Sequence, residues 1–368
     1  MRTLKFTVPA LIVAVSLLIS SGGVTGGAPA TSSSMVNHTP VAQAKIPTSS
    51  STDVDRQWVE NDSVVGSNPT TAALATQPEV ITLNDQYLDE QWALSHIQIP
   101  KLWQITTGNR EILVAVLDTG IDQNHEDLNG KVVVEVNFTD SLTPSGVYGH
   151  GTHIAGIIAA DSNNGIGIAG MAPESQLMNV KVADDKGRCQ ASTVAKGIIW
   201  AVNNGASVIN ISVELEQPSP ELEGAINYAW SQGTVIVAAA GNEGSQSPVY
   251  PAYYENCIAV AAIKQDDNLA PLSNHGDWVD MAAPGFNIYS TLPDNSYGYK
   301  SGTSFAAAYV SGIAALLLDV VIDTNGDGRL NDEVRAAIEA GCQEIGIRGV
   351  GRGRIDAAKT LAFVLHRE

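Results

Sequence analysis

The hydrophobic pattern of the chain changes near Glu79. Beyond that point, short apolar runs rich in valine and isoleucine alternate with stretches of small residues typical of helices. The runs predict strands at 112–117, 132–138, 177–182, 208–213, 235–240 and 257–262. The intervening stretches predict helices at 150–160, 192–203, 219–231, 304–320 and 331–340. Strands that are apolar on both faces need cover on both sides, so the pattern predicts an α/β fold of three layers (α/β/α) around a mostly parallel sheet.

The segments before this region have a different amino-acid composition. Residues 1–30 combine an early Arg2 and Lys5, an apolar run and a small-x-small Ala28-Pro29-Ala30 stretch, which is typical of a secretory signal peptide. A retained N-terminal anchor is the alternative interpretation. Residues 31–80 are low in complexity and rich in serine, threonine and proline, which indicates a linker or pro-segment. Residues 81–368 are then predicted to form one domain.

Charge and cysteine content narrow the function classes. The 368 residues carry a formal net charge of −19, which disfavours nucleic acid and anionic membranes as partners and suits bound cations and secretion. Three cysteines without paired spacing predict no disulfide framework and no metal motif. The helix at 304–320 is apolar enough to be considered as a membrane span. Because Ser311, Gly312 and Asp319 interrupt it, a central buried helix is the better interpretation.

Polar residues with side chains suited to catalysis follow the predicted strands or begin the predicted helices. Asp118 ends a strand in "LDTG", His150 lies between glycines in "YGHGTHIAGII", Asn242 follows a strand in "AAAGNEG", and Ser304 begins a helix in "SGTSFAAAYVSG". Taken singly, Asp118 and Asn242 are explained equally well as ordinary turn residues. The serine that opens the last stretch, Ser301, is explained equally well as a helix cap. Together they supply an acid, a base, an amide donor and a nucleophile at one sheet edge.

A second histidine, His153, shares the helix face of His150. The pair raises the question of a metal site. No third ligand has recognisable spacing, and the H-E-x-x-H motif is absent from the sequence. The sequence therefore favours a packing or hydrogen-bonding role for His153.

Four motifs in this order, "VLDTGID", "GHGTHIAGI", "AAAGNEG" and "SGTS", resemble those of subtilisin-like serine proteases. The resemblance extends over about residues 84 to 360. It implies a subtilisin-like fold and a secreted, monomeric endopeptidase that cleaves proteins or peptides through an acyl-enzyme, with no stable membrane insertion after signal removal. In that family Asp118 would orient His150, the general base for Ser304, and Asn242 would bind the oxyanion with the Ser304 amide. Substrate-binding positions would be Ser212, Val213, Glu214 and Gly241.

The resemblance also implies a structural calcium site. Its ligands would be the side chains of Asp85, Asp127 and Asn164, with the carbonyl groups of Asp161, Ile166 and Ile168. A second calcium candidate lies outside the family pattern, in "DTNGDGRLNDEV". Asp323, Asn325 and Asp327 occupy calcium-loop positions there, but Val334 replaces the usual final acid. A polar loop that caps a helix is the alternative for this segment.

Two residues depart from the family pattern. Phe305 follows the candidate nucleophile and is expected to crowd the leaving-group side. Glu214 replaces a glycine of the substrate-binding strand, where it would either obstruct the substrate or select basic residues by charge pairing. These departures leave two alternatives to a general endopeptidase. One is a narrow processing protease of the same fold, and the other is a catalytically silent binding or structural protein.

Overall fold

The structure is a computed structural model that describes residues 83–366. The predicted signal peptide at 1–30 and the predicted pro-segment at 31–80 lie outside the described residues. The predictions that concern them therefore stay predictions.

A parallel sheet forms the centre of the described region. Its strands are β1 (Leu113–Asp118), β2 (Val132–Asn137), β3 (Gln176–Lys181), β4 (Val208–Ile211), β5 (Val235–Ala239), β6 (Ile258–Ile263) and β7 (Met281–Pro284). They lie in the order β2-β3-β1-β4-β5-β6-β7, and every neighbouring pair is parallel. An antiparallel hairpin, β8 (Ile288–Leu292) and β9 (Ser296–Lys300), lies outside this sheet.

The helices cover both faces of the sheet. They are α1 (Trp92–His96), α2 (Ile99–Trp103), α3 (His150–Ala159), α4 (Ala191–Asn203), α5 (Pro220–Ser231), α6 (Thr303–Leu318), α7 (Asn331–Ala340) and α8 (Ala357–Leu365). Alternate residues of β1 face opposite layers. Val114 and Val116 pack into a core shared with α3 and α6, whereas Ala115 and Leu117 pack into a core shared with α4 and α5. The predicted three-layer α/β fold is thereby confirmed.

Helix α6 lies in the interior rather than in a membrane. Every residue from Thr303 to Leu317 is buried. Within residues 83–366, no helix has both the length and the hydropathy that a bilayer crossing requires. Gly302 precedes the helix without a capping side chain, and the hydroxyl of Ser301 instead accepts a hydrogen bond from the Asn287 N–H at 2.9 Å. The helix-cap interpretation of Ser301 is therefore wrong.

Candidate active site

The central strands deliver their final residues to one edge of the sheet. Strands β1, β4 and β5 are consecutive neighbours, and all three run in the same direction. Asp118 ends β1, Ser212 follows β4, and Asn242 follows β5 shortly after its last residue. This edge also lies where the sheet order changes direction around β1, the usual place for a ligand cleft in parallel α/β sheets.

Asp118 and His150 form a close pair at this edge. The Nδ1 atom of His150 lies 2.8 Å from Asp118 Oδ1 and 2.9 Å from Asp118 Oδ2. Asp118 is 1% exposed, and Oδ1 also accepts hydrogen bonds from the N–H and hydroxyl of Thr119 at 2.7 and 3.1 Å. A buried carboxylate held in this way fixes the imidazole ring and leaves its Nε2 atom free to face the cleft.

Small residues bring His150 to this position. Helix α3 begins at His150 directly after Gly149, whose φ of 79° is in the left-handed region that favours glycine. At Gly151, a Cβ atom would lie 3.1 Å from Asp118 Oδ1 and would also collide with the Gly120 carbonyl oxygen. The glycines on either side of His150 thus allow the helix to start against the Asp118 turn.

Asn242 is fixed to the start of α6. Its Oδ1 atom accepts hydrogen bonds from the N–H of Thr303 at 2.9 Å and from the Thr303 hydroxyl at 3.2 Å. The Thr303 hydroxyl oxygen in turn accepts a hydrogen bond from the Gly241 N–H at 3.0 Å. Oδ1 is thereby engaged by the start of the helix, which leaves Nδ2 as the hydrogen-bond donor of this side chain.

Ser304 is the second residue of α6 and is 4% exposed. Its carbonyl oxygen accepts a hydrogen bond from the Ser212 hydroxyl at 3.4 Å. Ser212 is further connected to the interior, since Asn210 Nδ2 donates to its hydroxyl at 2.8 Å and the Ser311 hydroxyl donates to Asn210 Oδ1 at 3.0 Å. This buried polar chain ties α6 to β4 and sets the position of Ser304 along the cleft.

Phe305 packs inward instead of toward the leaving-group side. It is 2% exposed, and its ring centroid lies 5.4 Å from that of His150 and 4.6 Å from that of His153. The expectation that Phe305 crowds the cleft is therefore wrong, because the ring fills the interior between the two histidines.

His153 has the packing and hydrogen-bonding role that the sequence favours. It is fully buried, and its Nε2 atom lies 3.1 Å from the Gly298 carbonyl oxygen of β9. Burial is the main cause that lowers the pKa of His153 to about 3, so the ring is neutral at ordinary pH. The neutral His153 ring therefore serves as a packing and hydrogen-bonding group beside Phe305.

Sequence reasoning missed a fully buried lysine beneath the Asp118 turn. The ammonium group of Lys181 donates hydrogen bonds to the carbonyl oxygen of Thr119 and, at 2.8 Å, to Asp185 Oδ1. Lys181 ends β3, next to β1, so its charge fixes the turn that carries Asp118. A lysine in a strand that is otherwise buried was the available signal, as was Asn210 in the apolar run of β4.

The predicted substrate-binding residues lie beside Asn242. Val213 packs against the core on the α4 and α5 side, and Gly241 is buried with a φ of 97°. Glu214 follows at the surface of the cleft, where its Oε2 atom accepts a hydrogen bond from the Asn242 N–H at 3.2 Å. The structure thus brings Glu214 next to the candidate catalytic residues.

The side chains of the first predicted calcium site also meet. The Asn164 N–H donates to Asp85 Oδ1 at 3.4 Å, and Asn164 Nδ2 donates to Asp127 Oδ1 at 3.0 Å. The Ile168 N–H donates to Asp127 Oδ2 at 2.8 Å, and the Asp161 N–H donates to the Asp127 carbonyl oxygen at 2.9 Å. The loop from 161 to 168 therefore wraps around Asp127 and reaches Asp85.

The electrostatics of this cluster suit a hard cation. Asp85 and Asp127 are both buried, and Asp85 Oδ2 has no hydrogen-bond partner. Burial is the main cause that raises the pKa of Asp127. Within residues 83–366, no three histidine, cysteine or acidic side chains are grouped to hold a metal, so a cation here needs amide and carbonyl oxygens as well.

The second predicted calcium segment forms a closed polar loop. Asp323 accepts hydrogen bonds from the N–H groups of Gly326 and Gly328 at 2.7 and 2.8 Å. Asn325 Oδ1 accepts one from the Asp327 N–H at 2.8 Å, while Asp327 Oδ2 pairs with the Arg329 guanidinium at 2.6 Å. Because an arginine already neutralises Asp327, the loop geometry favours the alternative of a polar loop before α7.

The chain was compared with known proteins. The sequence model of the subtilase family matches residues 109–340. Thermitase of Thermoactinomyces vulgaris is 44% identical over 286 residues, which cover 77% of this chain and 100% of that protein. A thermophilic serine proteinase of Bacillus sp. strain AK1 is 43% identical over 286 residues, which cover 77% of this chain and 70% of that protein. A solved protease structure from Pseudoalteromonas arctica has a TM-score of 0.71 at 31% identity and covers 77% of this chain and 100% of that one.

Proposed function

The chain belongs to the subtilase family and is a subtilisin-like serine endopeptidase, and we propose that it is secreted and that Asp118, His150 and Ser304 form its catalytic triad. The observation that carries this assignment is the contact of His150 Nδ1 with both carboxylate oxygens of buried Asp118, at 2.8 and 2.9 Å. Secretion is supported by the signal-like pattern of residues 1–30.

The proposed chemistry begins with proton transfer. The Nδ1–H of His150 donates to Asp118, so the neutral ring presents an unprotonated Nε2 atom as a base. Nε2 takes the proton of the Ser304 hydroxyl while the serine oxygen attacks the substrate carbonyl carbon. The imidazolium is stabilised by Asp118 and then gives the proton to the leaving amine, which yields the acyl-enzyme. After the amine has left, His150 Nε2 takes a proton from water as the water oxygen attacks the acyl carbon. The proton then returns to the Ser304 oxygen as its bond to the acyl group breaks, which releases the acid.

Negative charge on the attacked carbonyl oxygen needs donors that are already in place. We assign this role to Asn242 Nδ2 and to the backbone N–H of Ser304, which lies in the first turn of α6 and has no intrahelical acceptor. The hydrogen bonds from Thr303 to Asn242 Oδ1 support the assignment, because they hold the amide with its donor turned away from the helix.

We also propose that calcium binds at Asp85, Asp127 and Asn164. The buried Asp85 Oδ2 without a partner and the two buried carboxylates support this assignment, and Asn164 would turn its amide oxygen toward the ion. Carbonyl groups of Asp161, Ile166 and Ile168 would complete the oxygen ligands. Calcium would supply charge neutralisation there and would hold the chain before α1 against the 161–168 loop.

Peptide hydrolysis by purified variants tests the proposed catalytic roles. Ser304→Ala is expected to abolish turnover of a protein substrate apart from a small residual rate. Asn242→Ala is expected to lower kcat by about 10²–10³ with little change in KM, the usual effect of removing one oxyanion donor in enzymes of this family. Unchanged kcat in Asn242→Ala, with a native fold by circular dichroism, would remove Asn242 from the mechanism. Wild-type enzyme that cleaves nothing would favour the catalytically silent alternative.

A further inference from the structure

Two acidic side chains converge on one backbone N–H at the cleft. Glu214 follows β4 and Glu243 follows β5, which are neighbouring parallel strands. The Asn242 N–H lies 3.2 Å from Glu214 Oε2 and 3.0 Å from Glu243 Oε2. We call Glu214 and Glu243 the acidic pair. Both residues are exposed at the cleft, so a bound peptide can reach them.

The surrounding residues allow this convergence. A Cβ atom on Gly241 would lie 2.7 Å from Glu214 Oε2, so the absence of a side chain there gives the carboxyl group its place. On the other side, Asn274 Nδ2 donates a hydrogen bond to Glu243 Oε2 at 3.2 Å. Both carboxyl groups are therefore held by donors next to Asn242.

The acidic pair has no cation of its own. Among the ion pairs formed by residues 83–366, none includes Glu214 or Glu243. The other titratable groups that act on Glu214 are the acidic Glu216 and the thiol of Cys189. Burial is the main cause that raises the pKa of Cys189 to about 11, so the thiol is neutral and offers no positive charge.

The acidic pair gains or loses a proton near neutral pH. Partial burial of the carboxyl group and, next, the contact with Glu243 raise the pKa of Glu214 to about 7. Below that pH, Glu214 retains its proton and the pair carries less negative charge. Above it, Glu214 loses the proton, and both carboxylates then repel each other unless a cation lies between them.

We propose that the acidic pair binds a cationic side chain on the substrate residue that carries the scissile carbonyl, so that this endopeptidase prefers to cleave after arginine or lysine. The inference rests on the proposed roles of Ser304 and Asn242. When the scissile carbonyl oxygen lies at Asn242 Nδ2, the side chain of the same substrate residue starts beside Asn242. An arginine side chain is long enough to reach from there to the Asn242 backbone, where both carboxyl groups lie.

Matched peptide substrates test the preference. One peptide has arginine before the scissile bond, and the other has citrulline, which has a similar shape without the charge. The wild-type ratio of kcat/KM, arginine over citrulline, is expected to exceed one and to rise as the pH increases from 6 to 8.5. Any pH effect on the catalytic steps that both peptides share cancels in the ratio. Glu214→Gln is expected to lower the ratio at pH 8.5 by about fivefold, as for a partly exposed ion pair, and to flatten its pH dependence.

The control variant is Glu111→Gln, which changes net charge equally at an exposed position just before the start of β1, at the opposite end of that strand from Asp118. It is expected to leave the ratio unchanged. A wild-type ratio near one, or a ratio that Glu214→Gln does not alter, would overturn the inference while cleavage itself persists. Failure of Ser304 to react with a fluorophosphonate would instead contradict the proposed catalytic function, so the two failures are distinguishable.

Discussion

His153 shows how one residue can couple the active-site core to pH. Its ring is fully buried against Phe305 and is bonded to the Gly298 carbonyl oxygen. Burial lowers the pKa of His153 to about 3, whereas histidine in an unfolded chain has its ordinary pKa of 6.5. Between these values the unfolded state binds one more proton than the folded state. Stability contributed by neutral His153 is therefore lost as the pH falls through this window.

The stability of the protein with His153 is expected to depend more steeply on pH than that of a variant with a neutral side chain at this position. His153→Gln keeps a donor for Gly298 and cannot titrate. Both proteins are compared in an inactive Ser304→Ala background, which prevents self-digestion. As the pH falls from 6 to 4, the free energy of unfolding should decrease more steeply with His153 than with His153→Gln, by about 1.4 kcal/mol per pH unit. Urea unfolding at several pH values measures this difference. Parallel pH profiles for both proteins would show that His153 is not buried neutral.

At the residue scale, the sequence predicted where the candidate site residues lie better than it predicted the contacts that hold them. Asp118, His150, Asn242 and Ser304 each follow a strand or begin a helix, and those positions are readable from hydrophobic periodicity. Their partner Thr303 was missed, because a threonine at the start of a helix has no pattern that distinguishes a buried hydrogen bond from an exposed one. Lys181 was missed although a lysine in an otherwise buried strand was a usable signal. The inward packing of Phe305 was missed because side-chain direction in the first helical turn depends on tertiary contacts.

At the scale of elements, α6 and β4 are joined by a polar contact inside an apolar core. The Ser311 hydroxyl donates to Asn210 Oδ1, and both residues are fully buried. Replacing Ser311 with alanine leaves the Asn210 oxygen without its donor, which should cost about 1–3 kcal/mol of stability. Ser231→Ala, on the exposed end of α5, is the matched control and should change stability by less than about 0.5 kcal/mol. Equal effects in both variants, measured by urea unfolding, would contradict a structural role for the contact.

Most elements that the sequence failed to predict are short or lack apolar periodicity; the exception is α8 (Ala357–Leu365), a nine-residue helix. Strand β7 covers only Met281–Pro284, and the hairpin β8–β9 lies in a stretch rich in serine, tyrosine and threonine. Helices α1 and α2 have five residues each. Long elements such as α6 and α7 were predicted within two residues at either end, since their pattern is long enough to outweigh local ambiguity.

At the scale of the whole molecule, a net charge of −19 makes cation binding a natural contributor to stability. If calcium binds only the folded protein at Asp85, Asp127 and Asn164, free calcium at about one hundred times Kd adds about 2.7 kcal/mol. A calcium chelator should then lower the Tm of the Ser304→Ala protein. Asp127→Asn should lose most of this chelator effect, while Asp323→Asn in the second loop should keep it. A Tm that does not respond to chelator in either background would contradict the first site, and loss of the response only in Asp323→Asn would assign calcium to the second loop.

We propose Ser304 as the nucleophile of an Asp118–His150–Ser304 triad. Mass spectrometry of the purified protein after treatment with a fluorophosphonate, followed by digestion to locate the adduct, tests this role. We expect one adduct per chain, on the peptide that contains Ser304, with no adduct in Ser304→Ala and a much slower reaction in His150→Ala. A folded wild-type protein that remains unmodified, or an adduct on a different residue, would contradict this role.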